Sequence, residues 1–191
     1  MARVSKTAAP KLSLRIRPAT PADAAAIARL HHASHTTSFA PFASAAWLAA
    51  RDPAAYARDW RERLATADGR GGTWIALAGG EVVGVISALP ATGPAADAAV
   101  ATLRAMHVDP RRLGLGIGRA LWIVVTAALR ARGFARARFD VIEANARARR
   151  FFEAAGSRCV GRAPEGVEGV PIVTYELDLA PAAGGRDGPT A

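Results

Sequence analysis

The stretch Val108-Asp-Pro-Arg-Arg-Leu-Gly-Leu-Gly-Ile-Gly-Arg-Ala-Leu121 decides how the rest of this chain is read. Ahead of it, Ala99 to Val108 has the apolar character of a strand and closes on Asp109-Pro110. Behind it, Gly116 to Arg132 places Ile117, Ala120, Leu121, Val124, Val125, Ala128 and Leu129 on one helix face, and Gly133 stops the helix. Gly114, Gly116 and Gly118 therefore fall at a helix N-terminus, where backbone N–H groups lack intrahelical partners and the dipole favours an anion. The expectation is a phosphate cradle. Two familiar cradles fit poorly. A dinucleotide turn is Gly-x-Gly-x-x-Gly directly after its strand, with Asp140 as the ribose acid; here the glycines alternate and Pro110-Arg-Arg-Leu113 intervenes. A P-loop needs Lys-Ser or Lys-Thr after its glycines, and none follows.

Working outward, Leu12 to Arg17 alternates apolar and polar residues as a half-buried first strand does. Thr20-Pro-Ala-Asp23 starts a helix that carries Ile27 and Leu30 and runs into His31, His32 and His35. Pro41 and the mixed stretch to Ala50 end it, and Asp52-Pro53 starts a second helix with Tyr56, Trp60 and Leu64 as its apolar stripe. Thr73 to Leu77 and Val82 to Leu89 form a hairpin through Gly79-Gly80. After the glycine stretch come a strand from Arg138 to Glu143 and a helix that Asn145 caps and Gly156 ends. Two strands follow, Arg158 to Gly161 and Pro171 to Leu179, separated by the turn-rich Pro164-Glu-Gly-Val-Glu-Gly169. The order β-α-α-β-β-β-α-β-α-β-β predicts an α/β fold with a sheet of mixed direction covered by helices. Residues 1–11 read as a flexible arm, 12–179 as one domain and 180–191 as a disordered tail.

Composition narrows the function classes. With 191 residues, 51% of them hydrophobic, one full-sized core is expected, and no run approaches the ~20 apolar residues of a membrane span. The polar, basic start does not look like a secretory signal, so the expected location is cytoplasmic and no membrane partner is expected. Cys159 is the single cysteine, which excludes an intramolecular disulfide and a multi-cysteine metal site. His31 and His35 have a spacing that metal ligands use, but no carboxylate or cysteine nearby completes a site, and no metal is expected. The net charge of +9 favours anionic partners. Only Lys6 and Lys11 are lysines, and no basic run alternates with stacking aromatics, so nucleic-acid binding is not the expected use of that charge.

The glycine stretch resembles the acetyl-coenzyme A motif of the GNAT N-acetyltransferase superfamily, Gln/Arg-x-x-Gly-x-Gly/Ala. Asn145-Ala-Arg-Ala-Arg-Arg-Phe-Phe-Glu-Ala-Ala-Gly156 is similar to the family's second motif, Asn-x-x-Ala-x-x-Phe-Tyr-x-x-x-Gly. The resemblance implies a mostly antiparallel sheet whose central strands splay apart, with helices on both faces. It implies acetyl-coenzyme A as co-substrate, its pyrophosphate on the amides of Gly114, Leu115, Gly116, Ile117 and Gly118, with Arg111, Arg112 and Arg119 nearby. Val108 would hold the pantetheine arm through its backbone, Asn145 and Phe152 would line the site, and the N–H of Met106 would face the thioester oxygen.

The acceptor it implies is an amine of a small molecule or peptide, and a homodimer is compatible with it. His107 is the nearest titratable group for removing the amine's proton, with Glu143 and the His31 to His35 group behind it. Should strand alternation turn His107 into the opposite layer, it becomes a structural histidine. Three positions depart from the family pattern. Leu113 replaces the Gln/Arg that opens the motif, Thr102 stands where some members carry a glutamate base, and Phe152 stands where a tyrosine commonly protonates the leaving thiolate. The last two motivate a rival reading, a module that binds or senses acyl-coenzyme A with little turnover.

Overall fold

The computed structural model describes residues 13–66, 69–93, 96–167 and 169–179, so the arm at 1–11 and the tail at 180–191 lie outside the described residues. The elements are β1 (Arg15–Pro18), α1 (Ala24–Phe39), α2 (Ala45–Ala49), α3 (Pro53–Ala65), β2 (Gly72–Ala78), β3 (Glu81–Pro90), β4 (Val100–Val108), α4 (Ile117–Ala131), β5 (Arg136–Ile142), α5 (Ala146–Ala154), β6 (Arg158–Val167) and β7 (Val170–Asp178). The seven strands form one sheet in the order β1-β2-β3-β4-β5-β7-β6. Every neighbouring pair is antiparallel except β4 and β5. No described helix is long and apolar enough to cross a membrane.

Two elements differ from the sequence expectation. A short helix, α2, forms in the stretch read as a break, because the Ser44 side chain accepts the Trp47 N–H and caps it. β6 runs to Val167 rather than stopping at Gly161. It is the outer strand of the sheet, so Pro164 removes no ladder bond on its free side. Register shifts at Cys159/Gly161 and Ala163/Val167 absorb the irregular residues.

The sheet separates two apolar layers. On one face α4 and α5 bury Leu121, Trp122, Val125, Leu129 and Phe152 against strand residues such as Ile86, Leu103, Phe139 and Tyr175. On the other, α1 and α3 bury Ile27, Leu30 and Trp60 against Ile75, Val85 and Ala105. The approach of α4 to the sheet is close at Gly84, where a Cβ would sit 2.8 Å from both Ile117 Cγ2 and Leu121 Cδ1.

Two irregularities in β4 prepare the site. β4 pairs with β5 only over Val100–Thr102 against Arg136–Arg138. Beyond that, β4 stays with β3 to Val108 and β5 stays with β7 to Ile142, so the sheet opens at its centre. The register on β3 also shifts, with Ala88 opposite Leu103 and Ser87 opposite Ala105, which leaves Arg104 as the extra residue of a β-bulge. The bulge reverses the alternation: Ala101 and Leu103 pack in the α4 layer, whereas Ala105 packs in the α1 layer.

Candidate active site

The opening between β4 and β5 continues into a cavity of about 550 Å³ that reaches the glycine stretch. The Asp109 N–H donates to Val83 O at 3.0 Å, so the backbone of Asp109 faces β3. By strand alternation the N–H and C=O groups of Val108 and Met106 face the opposite edge, into the opening, where β5 no longer accompanies β4. Such groups need an occupant or water.

At the far end, α4 begins without a side-chain cap: its N-cap is Gly116, at φ 82°. Gly114, at φ 84°, is also left-handed, and a Cβ on either glycine would meet nothing within 4 Å. The first intrahelical bond here runs from the Ala120 N–H to Gly116 O, which leaves the amides of Ile117, Gly118 and Arg119 without helical acceptors. By contrast, α3 is capped by Asp52 and α5 by Asn145. A bare, positively polarised helix end on an open cavity suits a phosphate. Gly118 lines the same cavity, and a Cβ there would lie 3.3 Å from Met106 Cε.

The expected cradle residues divide by what they can offer. Ile117 has its side chain in the core and offers its amide, and Leu115 is 55% exposed with its side chain outside the cavity lining. Arg112 borders the cavity but is drawn to Glu81 (2.7 Å) and Asp109 (3.5 Å), and Arg111 pairs with Asp109 at 2.9 Å. The Arg111 guanidinium holds the buried Asp109 carboxyl below its usual range. Arg119 borders the cavity with no ion pair among the described residues, as does Arg147 on α5, which the sequence reading did not single out. Asn145 caps α5 by accepting the Ala148 N–H at 3.0 Å and lines the cleft as well.

The bulge at Arg104 brings His107 into the α1 layer. Its ring lies 4.1 Å from that of His31 and 6.2 Å from that of His35, and its Nδ1 is 3.3 Å from the buried Ser34 hydroxyl. The buried Trp60 donates its indole N–H to His31 Nδ1 at 3.0 Å, which keeps that nitrogen unprotonated. His35 Nδ1 meets the Tyr56 hydroxyl at 2.6 Å. The i, i+4 histidines of α1 thus face the i, i+4 aromatics of α3. Desolvation, reinforced by His35 and Arg63, lowers His31 to about 3; desolvation with Arg51 lowers His35 to about 4. Burial and the neighbouring His31 push His107 well below the ordinary imidazole range. All three imidazoles are neutral at pH 7.

His107, Met106, Asn145 and Phe152 line a second cavity of about 380 Å³ between the splayed strands, joined by His31, His35 and Arg104. Phe152 packs against Phe139 (4.4 Å), Phe151 (5.1 Å) and Trp122 (5.2 Å). Glu143 does not join this group: its carboxylate is held by Arg162 at 2.6 Å, which keeps it below the ordinary range and occupied. Thr102 sits at the closed base of the opening, opposite Arg138, and lines neither cavity. Among the described residues no group of three or more His, Cys, Asp or Glu is disposed to hold a metal ion.

Comparison with known proteins agrees with this architecture. The model of the acetyltransferase (GNAT) family matches residues 32–156. No curated protein sequence matches the chain. Among solved structures, the PaiA N-acetyltransferase of Thermoplasma acidophilum in complex with coenzyme A has a TM-score of 0.73 at 15% identity, covering 87% of this chain and 99% of that one. The ribosomal-protein-S18-alanine N-acetyltransferase of Escherichia coli has a TM-score of 0.67 at 18% identity, covering 91% and 98%. YncA of Salmonella typhimurium, with its cofactor acetyl-CoA, has a TM-score of 0.69 at 20% identity, covering 89% and 96%.

Proposed function

The chain belongs to the GNAT acetyltransferase family, and we propose that it transfers an acetyl group from acetyl-coenzyme A to the amine of a small molecule or peptide by direct attack. The observation that carries this reading is the continuity of one cleft: an uncapped helix end at Gly116, unpaired β4 backbone at Val108 and Met106, and the His107 pocket lie along it in that order. The residues fit the co-substrate. The amides of Gly114 and Gly116 to Gly118 would take the pyrophosphate with Arg119 and Arg147 alongside, and the Val108 backbone would hold the pantetheine arm. When bound, acetyl-coenzyme A supplies an acetyl group already activated as a thioester.

The remaining work falls to the chain. The Met106 N–H faces the opening and can donate to the carbonyl oxygen as negative charge gathers there. The incoming amine must be neutral, although an unperturbed alkylammonium holds its proton to a pKa of about 10.4. That proton is lost to water; His107, neutral at pH 7 with Ser34 Oγ 3.3 Å from its Nδ1, can take the proton that becomes acidic as the new C–N bond forms, while solvent protonates the departing thiolate. The test is thiol release from acetyl-coenzyme A across an amine panel. His107→Gln should lower kcat by about a hundredfold with the KM for acetyl-coenzyme A little changed. Full activity in that variant would remove His107 from the mechanism.

A second reading, a module that holds acyl-coenzyme A with little turnover, is favoured by Phe152, which puts an aromatic hydrocarbon where an acid would otherwise stand. It expects coenzyme A to bind tightly with no thiol released to any amine.

A further inference from the structure

The acetyl-transfer reading leaves the acceptor open, and the charges around the His107 pocket bear on it. Arg104 is the extra residue of the β4 bulge, and its side chain lines the inter-strand cavity beside His107. No carboxylate lies within ion-pair distance of it among the described residues, although Arg136 and Arg138 on the neighbouring strand β5 each have one. Arg63 on α3 is half-buried, stacked 4.6 Å over the Trp60 ring, and likewise has no ion pair among the described residues. It borders a separate cavity that Asp59 also lines; burial and Arg104 disfavour its charge and Asp59 favours it. Arg104 thus stands without an ion pair in a cavity whose histidines, His31 and His107, are neutral at pH 7. A guanidinium at a cavity wall with no ion pair gains a charge-assisted partner when an anion arrives. Across the cavity on β5, Asp140 accepts only the Thr174 hydroxyl (2.7 Å) among the described residues and offers the opposite sign.

We infer, resting on the acetyl-transfer reading, that the acceptor is a small amine that also carries an anionic group, with Arg104 receiving the anion and Asp140 drawing the ammonium end into the cavity. At about 380 Å³ the cavity suits a compact zwitterion. A polycationic amine or a lysine-rich peptide would face repulsion at Arg104.

Matched acceptors test this: glycine, β-alanine and 4-aminobutyrate, each against its own carboxamide, with 2-aminoethylphosphonate to separate carboxylate from phosphonate. The charged member of the preferred pair should have kcat/KM about tenfold higher or more. Arg104→Gln should bring that ratio near one, and Arg104→Glu should invert it. Equal rates for acid and amide, an unchanged ratio in Arg104→Gln, or faster acetylation of a lysine peptide would overturn the proposal. Should no amine of any charge release thiol, the acetyl-transfer reading falls, and the anion subsite is judged by binding alone. With coenzyme A present, N-acetyl-β-alanine should quench tryptophan fluorescence saturably, its amide about tenfold more weakly. Loss of that difference in Arg104→Gln supports the subsite, and equal titrations for acid and amide in the unaltered protein refute it.

Discussion

Phe152 stands where the family resemblance implies a tyrosine. It is buried in an aromatic cluster yet borders both cavities of the cleft. The nearby Tyr175 does not replace the missing hydroxyl, because its own is committed to Glu153 (2.5 Å) and Arg149 (3.2 Å). Phe152→Tyr should therefore raise kcat about tenfold with little change in KM; an unaltered kcat in steady-state assays would mean that thiolate protonation does not limit turnover. At this scale the sequence was legible where a role depends on local spacing. Asn145 caps α5 as read, whereas Arg111, expected near the phosphates, is held by Asp109 at 2.9 Å. Arg112 was not legible, because the carboxylate at 2.7 Å that occupies it belongs to Glu81 on β3.

At the scale of elements, α1 docks on the sheet by burying imidazoles, and that has a signed consequence for pH. In the unfolded chain His31 and His35 take up protons near pH 6.5, whereas in the folded protein they do so only near pH 3 and 4. Between those values the unfolded state binds more protons, so stability falls as pH drops from about 6.5 toward 4. The thermal midpoint should decline across that window, and His35→Gln should flatten the decline relative to the unaltered protein. Matching slopes for the two proteins in a pH series of melting curves would show that His35 titrates normally. The same docking shows what periodicity cannot supply. Strict alternation along β4 would put Leu103, Ala105 and His107 on one face; the bulge at Arg104 splits them between layers and delivers His107 to α1.

For the molecule as a whole, the opening in the sheet is a standing cost that an occupant offsets. Unpaired backbone on β4, the bare α4 N-terminus and Arg119 and Arg147 would all gain partners together. Coenzyme A at about a hundredfold its Kd should then stabilise the fold by about 2.7 kcal/mol, raising the melting temperature by roughly 5–10 °C. In Gly116→Val that ligand-induced shift should vanish, since a β-branched residue is strained at φ 82° and would distort the turn that presents the α4 amides to the cavity. A shift of equal size in that variant, measured by differential scanning fluorimetry, would place the phosphates elsewhere.

The sequence by itself determined the order of the strands and longer helices, the glycine stretch at the start of α4, the cap at Asn145 and, through two linked motifs, the family. All of these follow from interactions between residues a few positions apart, which hydrophobic period, glycine placement and capping chemistry record directly. Only the tertiary structure decided which face His107 takes, that His31, His35, Tyr56 and Trp60 gather around it, that Arg112 is occupied, and that Arg104 lines the cavity without an ion pair among the described residues. Those outcomes depend on a one-residue register shift between β3 and β4 and on how α1 and α3 settle on the sheet. Contacts across 29 to 73 positions, such as Trp60 with His31 and His107 with Ser34, leave no periodic trace in the chain.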